Sequence, residues 1–210
     1  NVNGIVTPGP RTLPRVALTF DDGPDVTYTP QILDILAREG VPATFYVLGE
    51  RADIRPELVG RMVAEGHEVG NHAYDETHLD LRQLRPEVVL RSLSRTHDTI
   101  TRLTGSSPRT FRPPFGFYNS FVLSTANRFG YVTVLWDVDS LDWQSLSAQQ
   151  ILQNVLPRVQ NGSIILMHSG ITLPGEDLSG TVAALPDIIR DLRARGFEMV
   201  TVSQLLGLTG

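Results

Sequence analysis

Two adjacent aspartates, Asp21 and Asp22, end the run VALTFDDGPD at residues 16–25. Like charges that close raise each other's pKa unless a positive group lies between or beside them. Asp, Gly and Pro also build ordinary polar turns, so the dipeptide alone says only that a strand stops here. Other chemistry-bearing residues end apolar runs in the same way. Asn71-His72 close HEVGNH (67–72), and Arg112-Pro113-Pro114 close RTFRPP (109–114). YVTVLWDVD (131–139) runs into Asp137, Asp139, Asp142 and Trp143, and GSIILMH (162–168) ends at His168. Two imidazoles and one carboxylate that leave coordination positions open can hold a divalent cation, which activates water and polarises a carbonyl.

The elements that must position these groups alternate. RVALTF (15–20) and ATFYVLG (43–49) read as strands, separated by a helix over TPQILDILAREG (29–40) with Thr29 as N-cap, Pro30 at N1 and Gly40 as its stop. A helix over 55–66 precedes the strand HEVGNH, and a long helical pattern covers 86–105. The second half continues with strands at 109–114, 131–139, 162–168 and 197–202, and helices around 119–129, 147–159 and 181–195. Apolar strands alternating with amphipathic helices imply parallel βαβ units. The expected fold is a single-domain α/β deformed (β/α) barrel of about seven parallel strands wrapped by helices, spanning 1–210 with 1–14 as a lead-in. In such barrels reactive residues stand at the C-terminal ends of strands, where the groups above fall.

Composition narrows the function classes. A chain that is 41% hydrophobic and 20% charged is globular. Its net charge of -5, with no Lys/Arg run, argues against nucleic acid as a partner. No apolar run has the length of a membrane span. With 0 cysteines, thiolate catalysis and Cys-ligated metals are excluded. The chain opens at Asn1 rather than Met, so a fragment or a processed product is expected.

The stretches TFDDGP, HEVGNH with a following His, RPPFG, DSLDW and ILMH, in this order, resemble the five motifs of the polysaccharide deacetylases, the NodB-homology or carbohydrate esterase family 4 enzymes. The resemblance implies metal-dependent hydrolysis of acetyl groups on sugars. It also implies that Asp22 binds the metal and that Asp21 is the general base, held by Arg112. His168 is then the general acid, paired with Asp142. The oxyanion donor falls on the backbone N–H of Phe115, where tyrosine is common in the family. Trp143 and Leu166 would line an apolar pocket for the acetyl methyl, although both residue types also serve as ordinary core.

The third ligand departs from the family's His-x-x-x-His pattern. Glu76 stands four residues after His72, and His78 stands six after it. From His78, HLDLRQLRP follows the family's His-Pro-Asp-Leu-x-x-Leu-Ser-Pro run, so a two-residue insertion is preferred. Asp22, His72 and His78 are then the ligands. Rings six apart do not share a helix face, so the segment should loop out, with Glu76 available to hydrogen-bond a ligand. The expected cofactor is one divalent ion, zinc first, with cobalt or nickel as alternatives.

The expected partner is an acetylated polysaccharide or oligosaccharide: chitin oligomers, peptidoglycan or acetylated xylan. A monomer, secreted or associated with the cell wall, is expected to act on it. His67 and His97 fall away from strand ends and read as structural, Trp136 as packed inside, and Asn119 as a helix N-cap. Asp137 and Asp139 alternate on one strand and could share a face, with no role assigned. Rival readings are a carbohydrate-binding pseudoenzyme of the same fold, a non-heme iron oxygenase and a two-carboxylate glycoside hydrolase.

Overall fold

The computed structural model describes residues 4–74 and 80–208. In chain order the strands are β1 (Ile5–Val6), β2 (Arg15–Asp21), β3 (Thr44–Val47), β4 (Glu68–Asn71), β5 (Thr110–Phe111), β6 (Val132–Val134), β7 (Val138–Asp139), β8 (Ile164–His168) and β9 (Glu198–Met199). The helices are α1 (Tyr28–Glu39), α2 (Gly49–Ile54), α3 (Pro56–Ala64), α4 (Pro86–Thr104), α5 (Ser120–Arg128), α6 (Ala148–Val155), α7 (Ser179–Ala194) and α8 (Val202–Leu206). All pairings are parallel, in the order β1-β6-β5-β4-β3-β2-β8-β7, with β9 added beside the start of β2. The sheet therefore curls in chain order. It stays open between its edge strands, β1 and β7, which do not pair among the described residues. This is the deformed (β/α) barrel expected, with more and shorter strands.

Strand periodicity decides what faces inward. Successive side chains alternate between the two faces of a strand. Val16, Leu18 and Phe20 on β2, Phe45 and Val47 on β3, and Ile165 and Met167 on β8 pack outward into the main core, against Ile32 and Leu36 of α1 and Leu185 and Ile189 of α7. Ala17, Tyr46 and Ile164 belong to a separate inner cluster with Val134 and Val202. The same alternation places Thr19 and Asp21, and Leu166 and His168, on the inner face. Registers Thr19↔Leu166 and Asp21↔His168 then set Asp21 and His168 side by side at the C-terminal rim.

Several boundaries differ from the expectation, each for a local reason. Thr29 is inside α1 rather than its cap: its hydroxyl accepts from the Asp25 N–H and donates to the Ser169 carbonyl. The helix starts at Tyr28, so Pro30 is its third residue rather than its first. Thr27 is at the N-cap position without a side-chain cap bond, and Asp25 accepts from the Thr27 and Tyr28 N–H groups just ahead of the helix. The helix expected at 55–66 is preceded by α2, and the two helices meet at Arg55, whose backbone is non-helical. The strand expected over 131–139 breaks between Val134 and Val138. The last strand shortens because Thr201 opens a capping box with Gln204 and starts α8. Asn119 does cap α5, accepting from Val122 N–H at 2.9 Å. Among the described residues no helix is long and apolar enough to cross a membrane.

Candidate active site

Asp21 ends β2 and is buried, and its partner is a fully buried guanidinium. Nη1 of Arg112 donates to Asp21 Oδ1 at 2.7 Å and to Thr19 Oγ1 at 2.8 Å. Nε donates to the Val134 carbonyl at 3.2 Å and Nη2 to the Leu135 carbonyl at 3.0 Å. The end of β6 and the break after it thus have a use: they turn the Val134 and Leu135 carbonyls toward the arginine. Tyr46 and Trp136 bracket the guanidinium, with ring centroids 4.2 and 5.5 Å away. A buried charge is tolerated only when paired and hydrogen-bonded, and Arg112 meets both conditions.

Asp22 takes a left-handed backbone, φ 69, a conformation that costs a non-glycine residue energy and concentrates at functional sites. It is held from behind. Arg51 donates to the Asp22 carbonyl at 2.8 Å and to the Ile171 carbonyl at 2.5 Å. A Cβ at Gly170 would collide with that same Asp22 carbonyl, so only glycine permits this approach. The turn aims Asp22 Oδ1 at Nε2 of His72, 3.1 Å away, and Oδ2 toward Nε2 of His168, 3.9 Å away.

His72 Nδ1 lies 2.7 Å from the Arg112 carbonyl, which can only accept, so Nδ1 carries a proton. In the neutral ring Nε2 then presents its lone pair to a carboxylate oxygen. Two acceptors at 3.1 Å are stable only with a proton or a cation between them. The carboxylates favour the charged ring: burial pushes the His72 pKa down, but Asp21 and Asp22 raise it by more. Asp22 and His72 therefore fit as two donors of a divalent cation, with the His72 tautomer fixed by a backbone carbonyl as metal-ligating histidines require. Among the described residues no group of three or more His, Cys, Asp or Glu is arranged to hold a metal. The expected third ligand, His78, and its alternative Glu76 lie outside the described residues.

His168 ends β8 with Nδ1 2.6 Å from Asp142 Oδ1. Asp142 Oδ2 accepts from the His168 backbone N–H at 2.9 Å and from the Thr181 hydroxyl at 2.8 Å. Burial opposes charge on the imidazole, but Asp142, followed by Asp22 and Asp21, outweighs it and pushes the pKa up to about 10. The same pairing holds Asp142 below the usual carboxylate range despite its burial.

Asp21, Asp22, His72 and His168 share one cavity of about 360 Å³ with Phe115, Phe117, Trp136, Asp139, Trp143 and Leu166. Its size is that of a small-ligand pocket. Leu166 is buried on the inner face of β8, and Trp143 is half exposed on the turn after Asp142. Phe115 has φ 59, and its exposed ring stands on the cavity wall beside Pro113-Pro114. Trp136, expected inside, is half-buried and lines the cavity.

The structure thus gathers Asp21, Asp22, His72, Arg112, Phe115, Asp142, Trp143, Leu166 and His168 at one rim. Asp137 does not reach it. Its carboxylate accepts from the Ile164 N–H at 2.7 Å and the Ser163 hydroxyl at 3.0 Å and pairs with Arg11. Asp139 does line the cavity, and accepts from the Leu141 N–H at 2.9 Å. His67 accepts from the Ala43 N–H, and His97 bonds the Tyr131 hydroxyl, both away from the cavity. Thr19, Arg51 and Thr181 were not anticipated. Nothing local marks them, although Arg51 is a charged residue in a stretch that could have been recognised as a helix start.

A curled parallel barrel with carboxylate and imidazole pairs at the C-terminal rim defines the class of protein. Comparison with known proteins agrees. Residues 9–134 match the family model described as polysaccharide deacetylase. A peptidoglycan-N-acetylglucosamine deacetylase of Bacillus cereus is 41% identical over 197 residues, covering 94% of this chain and 70% of the relative. A chitooligosaccharide deacetylase of a Bradyrhizobium species is 41% identical over 199 residues, 90% of each chain. The crystal structure of a peptidoglycan N-acetylglucosamine deacetylase in complex with 4-naphthalen-1-yl-N-oxidanyl-benzamide superposes with a TM-score of 0.92 at 38% identity, covering 97% of this chain and 93% of the other. A carbohydrate esterase family 4 pseudoenzyme from Bacillus anthracis superposes at 0.87 with 30% identity, covering 96% of this chain and 68% of that one. The chain belongs to the polysaccharide deacetylase family.

Proposed function

We propose that this chain is a divalent-metal-dependent deacetylase that hydrolyses N-acetyl groups on N-acetylglucosamine units of peptidoglycan or chitin-type glycans, with O-acetylated xylan as a third substrate class. The observation that carries the reading is the pairing of Asp21 with Arg112 and of His168 with Asp142 on either side of Asp22, over one cavity. Asp22, His72 and His78 are the residues that would hold the cation, zinc first and cobalt or nickel otherwise. When bound, the cation polarises the acetyl carbonyl and acidifies a water molecule.

Asp21 accepts the proton of the attacking water on Oδ2, since Arg112 occupies Oδ1 and fixes the plane of the carboxylate. The Phe115 N–H donates to the developing oxyanion. His168, held charged by Asp142, gives its Nε2 proton to the leaving nitrogen as the C–N bond breaks. Acetate and a free amine result. Trp143 and Leu166 enclose the acetyl methyl. Such an enzyme acts as a monomer on a polymer outside the cell or within its wall. Neighbouring units of that polymer help position the reacting one, so an oligomer should exceed the monosaccharide in kcat/KM by at least about tenfold.

Acetate release from N-acetylglucosamine oligomers, peptidoglycan and acetylxylan, with and without added zinc, cobalt or nickel, tests the proposal. Asp21→Asn and His168→Ala should each lower kcat by about two to four orders of magnitude. A second reading, a carbohydrate-binding pseudoenzyme, is favoured by the B. anthracis relative of the same fold. Glycan binding with no acetate released from any of the three polymers would establish it in place of the first.

A further inference from the structure

The sequence around residues 113–118 presents an aromatic ring that the hydrolysis leaves unused. Phe117 is exposed yet lines the same cavity as Asp22 and His168. Its backbone is set by two consecutive turn bonds, Gly116 N–H to the Pro113 carbonyl at 2.9 Å and Phe117 N–H to the Pro114 carbonyl at 3.1 Å. Its ring is set as well. The Arg82 guanidinium lies 4.1 Å from the Phe117 centroid, and Phe115 stands 5.8 Å away, tilted by 34°. Arg82 is itself locked, with Nε 3.0 Å from Asp80 Oδ1 and Nη2 2.8 Å from Asp80 Oδ2. Arg82 does not line the cavity, whereas Phe117 does.

An exposed phenyl ring immobilised from behind is a costly way to cover an arginine but a suitable platform for a ligand. The C–H face of a pyranose carries partial positive charge and complements the negative face of an aromatic ring. A ring already held still loses little entropy when a ligand settles on it. The guanidinium, neutralised by Asp80, offers no free charge, so the surface suits an uncharged sugar face rather than a carboxylate. We infer that Phe117 is the stacking platform for the pyranose unit adjacent to the one whose acetyl group reacts. This rests on the deacetylase reading for the identity of the reacting unit, but not for the binding itself.

Binding separates the two. Zinc-loaded protein carrying Asp21→Asn, to suppress turnover, is titrated calorimetrically with chitotetraose and with N-acetylglucosamine, with Phe117 intact, as Phe117→Tyr and as Phe117→Ala. Phe117→Ala should weaken tetraose binding about tenfold, the scale of one well-made aromatic contact. Phe117→Tyr should restore it, and the ratio of tetraose to monosaccharide affinity should fall only in the alanine variant. Tetraose affinity within about twofold of the parent overturns the inference, since tenfold is 1.4 kcal/mol and twofold is not a lost contact. Equal losses for tetraose and monosaccharide, or no tetraose binding by any of the three, overturn it too. Selective loss in a chain that releases no acetate when Asp21 is intact leaves the platform standing and removes the deacetylase reading instead.

Discussion

Arg112 and Asp21 form a buried ion pair, Nη1 to Oδ1 at 2.7 Å, in which the arginine is fully enclosed and the carboxylate nearly so. Removing one partner of such a pair strands the other charge in a low-dielectric site, at a cost of about 3–5 kcal/mol. Arg112→Met should lower the unfolding free energy by that amount and abolish acetate release. Arg112→Lys keeps a charge but cannot also reach the Val134 and Leu135 carbonyls. It should recover part of the stability and little of the activity. Urea denaturation checks the first claim, and a loss under about 1 kcal/mol for the methionine variant would show that Asp21 is not dependent on the pair.

His168 and Asp142 make a pH prediction. The folded imidazole is raised to about 10, against about 6.5 in an unfolded chain. The stabilisation it gives is therefore complete below about 6.5 and is lost as pH rises toward 10. Asp142→Asn removes the main raising influence, so the variant's stability should vary less across that window. Its alkaline loss of activity should move to lower pH by at least about one unit, because His168 must be protonated to act as an acid. Thermal melts and kcat/KM profiles of the two proteins read both effects. Identical alkaline limbs would assign that limb to another group.

Thr181 donates to Asp142 Oδ2 at 2.8 Å from the first turn of α7. A hydrogen bond to a buried charged group contributes about 1.5–3 kcal/mol. Thr181→Val keeps the shape and removes the donor, and should cost about that much stability. It should also weaken the hold of Asp142 on His168, shifting the alkaline limb in the same direction as Asp142→Asn but by less. Thr181→Ser, which retains the hydroxyl, should keep the wild-type profile. A valine variant with reduced stability and an unchanged pH profile would confine Thr181 to packing.

What the sequence could reveal divides along the length scale of the interaction. Asp21, Asp22, His72, Arg112 and His168 were legible because each ends an apolar run, and a barrel collects such ends at one rim. Asp142, in the turn after β7, was legible only through the resemblance of DSLDW to a family motif. The alternation on β2 and β8 also dictates that Asp21 and His168 face inward together, given the register that pairs them. Thr19, Arg51 and Thr181 were not legible. Each acts through a contact between elements far apart in the chain, such as Thr181 with Asp142, and no local pattern encodes that meeting. Asp137 misled because strand alternation was assumed to continue through residues 135–137, where the chain instead leaves the ladder and Leu135 turns its carbonyl to Arg112. Thr29 misled for a similar reason: a hydroxyl that fits a helix cap is used to tie α1 to the loop after β8.

The third metal ligand yields the last prediction. Asp22 and His72 approach within 3.1 Å, and each is oriented by backbone contacts, Asp22 through Arg51 and His72 through the Arg112 carbonyl. Two protein ligands fall short of the three that a catalytic zinc site ordinarily has. The choice lies between Glu76, at the usual family spacing, and His78, which restores the downstream motif in HLDLRQLRP. If His78 is the ligand, His78→Ala should weaken zinc binding by more than about a hundredfold, beyond the 10–100-fold typical of residues that only support a ligand. Glu76→Ala should fall within or below that supporting range. Asp22→Ala should lose the metal as His78→Ala does, whereas Asp21→Asn should retain it. Zinc affinities from competitive chelator titration at fixed pH rank the four variants directly. A Glu76→Ala protein that loses zinc while His78→Ala keeps it would reverse the assignment and remove the two-residue insertion from the reading of this segment.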